Sequence, residues 1–183
     1  MTILHIDSSI TGEASVSRQL TRSIVDRLRR DDPAAAVARR DLAAEPIEHL
    51  TLGAFADSSV LDEFLAADTV VIGAPMYNFT LPSQLKAWLD RILIAGKTFR
   101  YTADGPEGLA GGKRVIIAMA RGGVYASGSP AAALEHLETY LAAVFGFIGI
   151  APEFVSADGL NISPEQKEQS VKAALGEAVR LAA

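Results

Sequence analysis

Small hydroxyl side chains crowd one loop near the N-terminus, directly after the apolar run Thr2–Asp7. The loop residues in question are Ser8, Ser9, Thr11, Gly12, Ser15 and Ser17. A strand-to-helix loop of this kind offers unpaired N–H groups and the positive end of a helix to a phosphate, and hydroxyls add donors without bulk. The loop contains neither G-x-x-x-x-G-K-[ST] nor G-x-G-x-x-G. It therefore predicts a phosphate site outside those two classes or, alternatively, a capped helix preceded by turn residues.

A second loop, Gly73–Pro82, carries side chains suited to a flat ring. Its candidate ligand residues are Pro75, Met76, Tyr77, Asn78 and Phe79. Aromatic and thioether groups at the end of a buried strand pack well on a planar ligand, and an Asn amide can bond the polar edge of a pyrimidine-like ring. A capped hydrophobic turn is the alternative interpretation.

A pair of glycines ends a third strand, where Ala120 is followed by Arg121, Gly122 and Gly123. Because glycine has no Cβ, the backbone can approach a ligand closely and adopt positive φ there. The alternative is an ordinary turn.

The elements that position these three loops alternate between strand and helix. Strands are predicted at Thr2–Asp7, Ala36–Asp41, Thr69–Gly73, Lys113–Ala120 and Phe147–Ser156. Helices are predicted from about Ser17, at Ser59–Ala67, after Pro82, from Ser129-Pro130 to about Phe145, and after Ser163. Such alternation implies right-handed crossovers and ligands beyond the carboxyl ends of the strands. We therefore predict an α/β fold, a doubly wound five-stranded parallel sheet with helices on both faces, with residues 1–183 as a single domain.

Composition excludes several function classes. The 183 residues carry 17 Lys and Arg against 22 Asp and Glu, a formal net charge of −5, which argues against nucleic-acid binding. There is no Cys, hence no thiolate chemistry. The three isolated His residues fit no metal-ligand spacing, and no metal is expected. The start MTILHIDSS does not resemble a secretory signal and no apolar run spans a membrane, so a soluble, cytoplasmic protein is expected.

Several segments, in this order, resemble the FMN-dependent NADH azoreductases and NAD(P)H quinone oxidoreductases, which have a flavodoxin-like fold. The matching segments are Ala74–Phe79, Leu85–Asp90, Thr98–Thr102, Gly105–Leu109 and Arg121–Gly123. The resemblance runs nearly end to end. The stretch between Pro46 and Asp68 is shorter than in longer family members, and Tyr125 stands where some relatives carry His.

The resemblance implies one FMN per subunit, with NADH or NADPH as electron donor and a quinone or azo compound as acceptor. The implied FMN-binding residues are Ser9, Ser15, Val16, Ser17, Pro75, Met76, Tyr77, Asn78, Phe79, Ala120, Arg121, Gly122 and Gly123. The catalytic chemistry belongs to the flavin, with the N–H groups of Gly122 and Gly123 as candidate charge stabilisers. The donor and the acceptor would occupy the same face of the flavin in turn, which predicts ping-pong kinetics.

Phe99, Tyr101 and Tyr125 are the candidates for the acceptor pocket. Packing under a loop is the alternative for Phe99 and Tyr101. A homodimer like that of the family would place the side chains that wall the acceptor pocket against the flavin of the neighbouring subunit. Two other function classes stay open on the residues alone. One is a flavodoxin-type single-electron carrier, and the other is a non-flavin binding module on the same fold.

Overall fold

Five strands form one parallel sheet in a computed structural model, which describes residues 1–182. In chain order the strands are β1 (Thr2–Asp7), β2 (Ala36–Asp41), β3 (Thr69–Pro75), β4 (Phe99–Thr102), β5 (Gly105–Gly108), β6 (Arg114–Ala120) and β7 (Glu153–Ala157). The sheet order is β2-β1-β3-β6-β7. The strand order reverses between β1 and β3, because the chain continues to one side after β1 and to the other after β3. Ligands bind at such a switch point.

Five helices cover the two faces of the sheet. They are α1 (Val16–Asp31), α2 (Ser59–Ala66), α3 (Ser83–Ile92), α4 (Glu138–Phe147) and α5 (Pro164–Leu181). Side chains of β1 alternate between the faces, so Leu4 packs in the core under α2, α3 and α4, while Ile3 packs in the core under α1 and α5. The doubly wound five-stranded sheet is thereby confirmed. None of the helices between residues 1 and 182 combines the length and apolar character that a membrane span requires.

Register brings the three candidate loops together. Asp7 pairs with Gly73 across β1 and β3, and Pro75 pairs with Ala120 across β3 and β6. The Oγ of Ser8 donates to the carbonyl oxygen of Gly73 at 2.6 Å. All three loops therefore leave the same edge of the sheet side by side.

The predicted helix start at Ser129-Pro130 is wrong. The Oγ of Ser129 donates to the carbonyl oxygen of Val124 at 3.0 Å and so closes a turn instead of capping a helix. A short 3-10 turn follows at Ala132–Leu134, and α4 begins only at Glu138. The carboxylate of Glu135 accepts from the first N–H groups of this helix, at 2.8–3.1 Å.

One further boundary and one additional hairpin differ from the sequence prediction. The last strand begins at Glu153 and not at Phe147, because α4 extends to Phe147 and Gly149 then turns the chain with a φ of 88°. A hairpin of β4 and β5 was not predicted at all. Its strands pair antiparallel, and Arg100 forms an ion pair with Glu107 at 2.7 Å.

Candidate cofactor site

The first wall of the site is the loop from Ser8 to the start of α1. Ser15 caps the helix, its Oγ accepting from the N–H of Arg18 at 3.3 Å, and lies 3.0 Å from the Oγ of Ser17. Within residues 1–182, the N–H groups of Val16 and Ser17 donate to no protein acceptor. A 16-residue helix directs its positive end here, so these N–H groups are a candidate anion site.

A buried arginine fixes this loop from beneath. The Nη2 of Arg18 donates to the carbonyl oxygen of Ser9 at 2.8 Å, and the guanidinium forms a two-point ion pair with Asp41 at 2.5 and 2.8 Å. The hydrogen bond from Arg18 lowers the pKa of the Asp41 carboxyl, so this pair stays charged at neutral pH. The charges of Arg18 and Asp41 therefore neutralise each other, and the hydrogen bond from Arg18 fixes the loop backbone at Ser9.

The second wall is a tight turn between Tyr77 and Thr80. Tyr77 and Thr80 exchange backbone hydrogen bonds at 2.9 and 3.2 Å, and the two central residues, Asn78 and Phe79, have φ angles of 47° and 73°. Positive φ at both positions is typical of a type I′ turn, which favours Asn followed by Gly. Phe at the second position is therefore strained, and such strain often marks a functional site.

We expect Phe79→Gly to raise the free energy of unfolding by about 1 kcal/mol, because glycine relieves the positive-φ strain. The same change removes a ring that is 45% exposed at the site, so FMN binding should weaken severalfold. Urea unfolding and a flavin titration measure the two effects. Asn78→Gly is the matched control, since Asn already tolerates positive φ and little stabilisation should result. A Phe79→Gly protein no more stable than the wild type would contradict the strain argument.

Tyr77 joins the first wall to the second. Its hydroxyl lies 3.2 Å from the Oγ of Ser9 and accepts from the N–H of Ile10 at 3.2 Å. A ligand that contacts the serines therefore also meets the phenol ring of Tyr77.

The third wall is built by the segment after β6 and by the loop between β7 and α5. The N–H of Met76 donates to the carbonyl oxygen of Ala120 at 2.9 Å, and the N–H of Asn161 donates to that of Gly122 at 3.0 Å. A Cβ on Gly122 would lie 2.5 Å from Nδ2 of Asn161. A side chain at 122 would therefore have to displace the Asn161 amide, and glycine lets the two residues lie this close together. The expected positive φ is wrong, since neither Gly122 nor Gly123 has one.

Two adjoining clefts lie between these walls. The first, here the serine cleft, has a volume of about 250 Å³ and is lined by Ser9, Thr11, Ala14, Ser15, Val16, Pro75, Met76, Tyr77, Ala120, Gly122, Leu160, Asn161 and Lys167. The second, here the Tyr125 cleft, has a volume of about 440 Å³ and is lined by Met76, Asn78, Phe79, Gly122, Gly123, Tyr125 and Asn161. Among residues 1–182, no carboxylate lines either cleft, which suits an anionic ligand.

Comparison with known proteins identifies the family. The family described as having a flavodoxin-like fold matches residues 1–181. The chain is 56% identical to FMN-dependent NADH:quinone oxidoreductase 2 of Bradyrhizobium diazoefficiens, with both chains covered completely, and 55% identical to an FMN-dependent NADH:quinone oxidoreductase of Rhizobium meliloti, with 93% and 92% covered. The chain belongs to the FMN-dependent NADH:quinone oxidoreductase family. The family indicated by the sequence resemblance is thus confirmed.

Solved structures of this family superimpose closely on the chain. An azoreductase of Bacillus anthracis str. Sterne has a TM-score of 0.90 and 32% identity, covering 100% of this chain and 98% of its own. An FMN-dependent NADH-azoreductase of Bacillus anthracis str. Ames Ancestor, solved in complex with FMN, has a TM-score of 0.86 and 26% identity, with both chains covered completely. The alignment with the Bradyrhizobium relative extends over 201 positions, 18 more than the 183 residues here, so the alignment contains gaps in this chain.

Most of the residues that the family resemblance implied line the two clefts, but two of them do not. Ser17 is fully buried, with its Oγ 3.0 Å from the Oγ of Ser15, and it does not line the cleft surface. The guanidinium of Arg121 points away and forms an ion pair with Asp158 at 2.7 Å. Only the backbone of Arg121 belongs to the wall.

The three candidates for the acceptor pocket separate in the structure. Tyr125 lines the cleft named after it, whereas Phe99 and Tyr101 line neither cleft of the chain. Phe99 packs on Phe147 with 4.6 Å between ring centroids, as in the packing alternative. Tyr101 stacks edge-on against Phe99 at 5.7 Å and is 74% exposed.

Sequence reasoning missed part of the serine cleft. The missed residues are Ala14, Leu160, Asn161 and Lys167, whereas Thr11 was among the loop hydroxyls already singled out. The position of Asn161 beyond the carboxyl end of the last parallel strand is a signal that could have found it. Nothing in the sequence distinguishes Lys167 from the other polar residues on the exposed face of α5.

Proposed function

We propose that this protein is an FMN-dependent oxidoreductase that takes electrons from NADH and reduces quinones and azo compounds. One observation carries the proposal: an anion-binding helix start and a cleft walled by apolar side chains and bare backbone meet at the switch point of the sheet. The relatives named as FMN-dependent NADH:quinone oxidoreductases and the azoreductase structures support the same reaction class.

The donor set of the clefts fits FMN. The N–H groups of Val16 and Ser17 and the hydroxyls of Ser9 and Ser15 would hold the phosphate. The ring system would lie between the turn that carries Phe79 and the segment after β6, where Gly122 leaves room for it. The remaining proposed contacts, from the same walls, are Pro75, Met76, Tyr77, Asn78, Ala120, the Arg121 backbone and Gly123.

FMN, when bound, would supply the two-electron redox chemistry that links the nicotinamide donor to the acceptor. The protein supplies position and electrostatics. The N–H groups of Gly122 and Gly123 donate to no protein acceptor in the described part of the chain, so they are fixed donors for negative charge that develops on the ring edge. Tyr125 and Phe79 limit the space over the ring and select flat acceptors.

Reconstitution followed by steady-state kinetics tests the function. The purified chain is loaded with FMN, and NADH and NADPH are supplied anaerobically with benzoquinone or methyl red as acceptor. We expect double-reciprocal plots with parallel lines, because donor and acceptor use one face of the ring in turn. Intersecting lines would reject the shared face, and a protein that takes up no FMN would reject the function.

We also propose a homodimer in which Tyr101 reaches the neighbour's cleft. The support is its 74% exposure on a hairpin whose base, Phe99, is anchored against Phe147. Sedimentation velocity of the FMN-loaded protein measures the state. A monomer that turns over at the full rate would rule the dimer out as a requirement.

A further inference from the structure

Lys167 is the charged residue among the thirteen that line the serine cleft. It lies in the first turns of α5, where Ser163 caps the helix by accepting from the N–H of Gln166 at 3.1 Å. Its side chain is exposed, so the ammonium group can reach across the cleft mouth at little desolvation cost. A single full charge therefore stands opposite the helix start that forms the anion site.

The other cations of this region are already engaged by carboxylates. Arg18 pairs with Asp41, and Arg22 pairs with Glu13 at 2.5 Å. Arg39 pairs with Asp7 at 3.0 Å, and Arg121 pairs with Asp158 at 2.7 Å. Lys167, in contrast, forms no ion pair with any residue from 1 to 182.

The proposed phosphate site lacks a full positive charge of its own. Hydroxyls and the N–H groups at a helix start provide partial charges, equivalent to about half an elementary charge at the helix end. A phosphate monoester carries a charge of roughly −1.5 to −2 at neutral pH. The buried guanidinium nearest to the loop, that of Arg18, is neutralised by its two-point bond to Asp41. Charge balance thus calls for a cation at the cleft mouth.

We propose that Lys167 is a further phosphate-binding residue of this protein, placed by α5 opposite the α1 helix start. This inference rests on the proposed function. The ammonium group would donate to the phosphate oxygens of bound FMN, from a helix turn that Ser163 already caps. A basic side chain on α5 thereby discriminates FMN from riboflavin, which has the same ring and no phosphate.

Flavin titrations with and without the phosphate test this role. The dissociation constants of FMN and riboflavin are measured by quenching of flavin fluorescence for the wild type and Lys167→Met. We expect FMN to bind about tenfold more weakly to the variant, as for loss of one charge-assisted hydrogen bond. Riboflavin should bind within about twofold of the wild type, because the ring contacts are unchanged.

Two controls complete the experiment. Lys167→Arg should restore most of the FMN affinity, and Lys172→Met, an exposed lysine of the same helix outside the cleft, should behave as the wild type. The salt dependence of FMN binding should also be shallower for Lys167→Met. An equal loss for both flavins, or no loss for FMN, overturns the role of Lys167 alone. A wild type that binds neither flavin overturns the proposed function itself.

Discussion

Gly122→Val is expected to weaken FMN binding about 100-fold while the protein stays folded, since overpacking costs roughly 1–3 kcal/mol and each tenfold corresponds to about 1.4 kcal/mol. A Cβ at this position would meet Nδ2 of Asn161 at 2.5 Å and its Cγ at 3.1 Å. Gly122 and Asn161 line both clefts, so a larger side chain at 122 competes with the Asn161 amide for the same space. Added methyl groups therefore fill the space proposed for the ring.

A matched variant separates this effect from a general loss of stability. Gly146→Val places the same side chain in α4, where no heavy atom lies within 4 Å of the Cβ position. We expect that variant to bind FMN as the wild type does, and Gly122→Ala to lose about tenfold, because it adds the Cβ without the methyl groups. Circular dichroism measures whether the three variants are folded, and flavin titration measures their affinity for FMN. Wild-type affinity in Gly122→Val would refute close approach at this residue.

The sheet and its helices could be predicted because burial acts over whole segments. All seven residues of β3 are buried, which the β-branched run at Thr69–Gly73 already indicated. The stripe of Leu85, Trp88 and Leu89 faces the core in α3 as its spacing predicts. The loops at the carboxyl ends of β1, β3 and β6 then followed from topology, since parallel strands place those ends together. That residues 1–183 form one domain stays a prediction.

Errors arose where one residue type serves two local purposes. Ser129 before a proline can cap a helix or close a turn, and its bond to Val124 decides for the turn. The polar sequence of Phe99–Gly108 hides a hairpin, because its strands are half exposed and contain Gly and Pro. Gly122 and Gly123 were expected to adopt positive φ, whereas neither does, and a Cβ would instead crowd the Asn161 amide at 122 and the Tyr125 ring at 123. These outcomes depend on neighbours distant in sequence.

The second large effect is expected from Arg18→Met, which should lower the free energy of unfolding by about 3 kcal/mol, as for breaking a buried ion pair. The Arg18 side chain is 5% exposed, and its loss leaves the carbonyl oxygen of Ser9 without its guanidinium donor and the Asp41 carboxylate with the N–H groups of Ala43 and Ala44 as its remaining donors. For a chain of this length the melting temperature should fall by roughly 6–12 °C. FMN affinity should fall as well, because Ser9 is no longer fixed.

Arg22→Met is the matched control for this variant. Arg22 is on the same helix, but its ion pair with Glu13 is exposed, so at most about 1 kcal/mol should be lost. Equal losses in the two variants would show that burial of Arg18 contributes nothing.

The acid limb, meaning the loss of unfolding free energy as pH falls, provides an independent test of the ion pair formed by Arg18. The hydrogen bond from Arg18 lowers the folded-state pKa of Asp41, so its stabilisation is complete above the ordinary carboxyl pKa and disappears as pH falls through the lowered value. In Arg18→Met this contribution is absent, and the wild-type and variant unfolding curves should converge on acidification. Asp7, whose pKa His5 and Arg39 hold at about 2 against the opposing effect of burial, keeps these two partners in the variant but loses Nη1 of Arg18 at 3.7 Å, so most of its share of the acid limb should persist in both proteins. Replacing both partners, as in Arg18→Met with Asp41→Leu, removes the unpaired charge and should recover part of the stability without restoring the position of Ser9. FMN affinity that stays low in this stabilised double variant would assign to Arg18 the placement of the phosphate loop, and affinity that returns with stability would reduce its role to that of a structural ion pair.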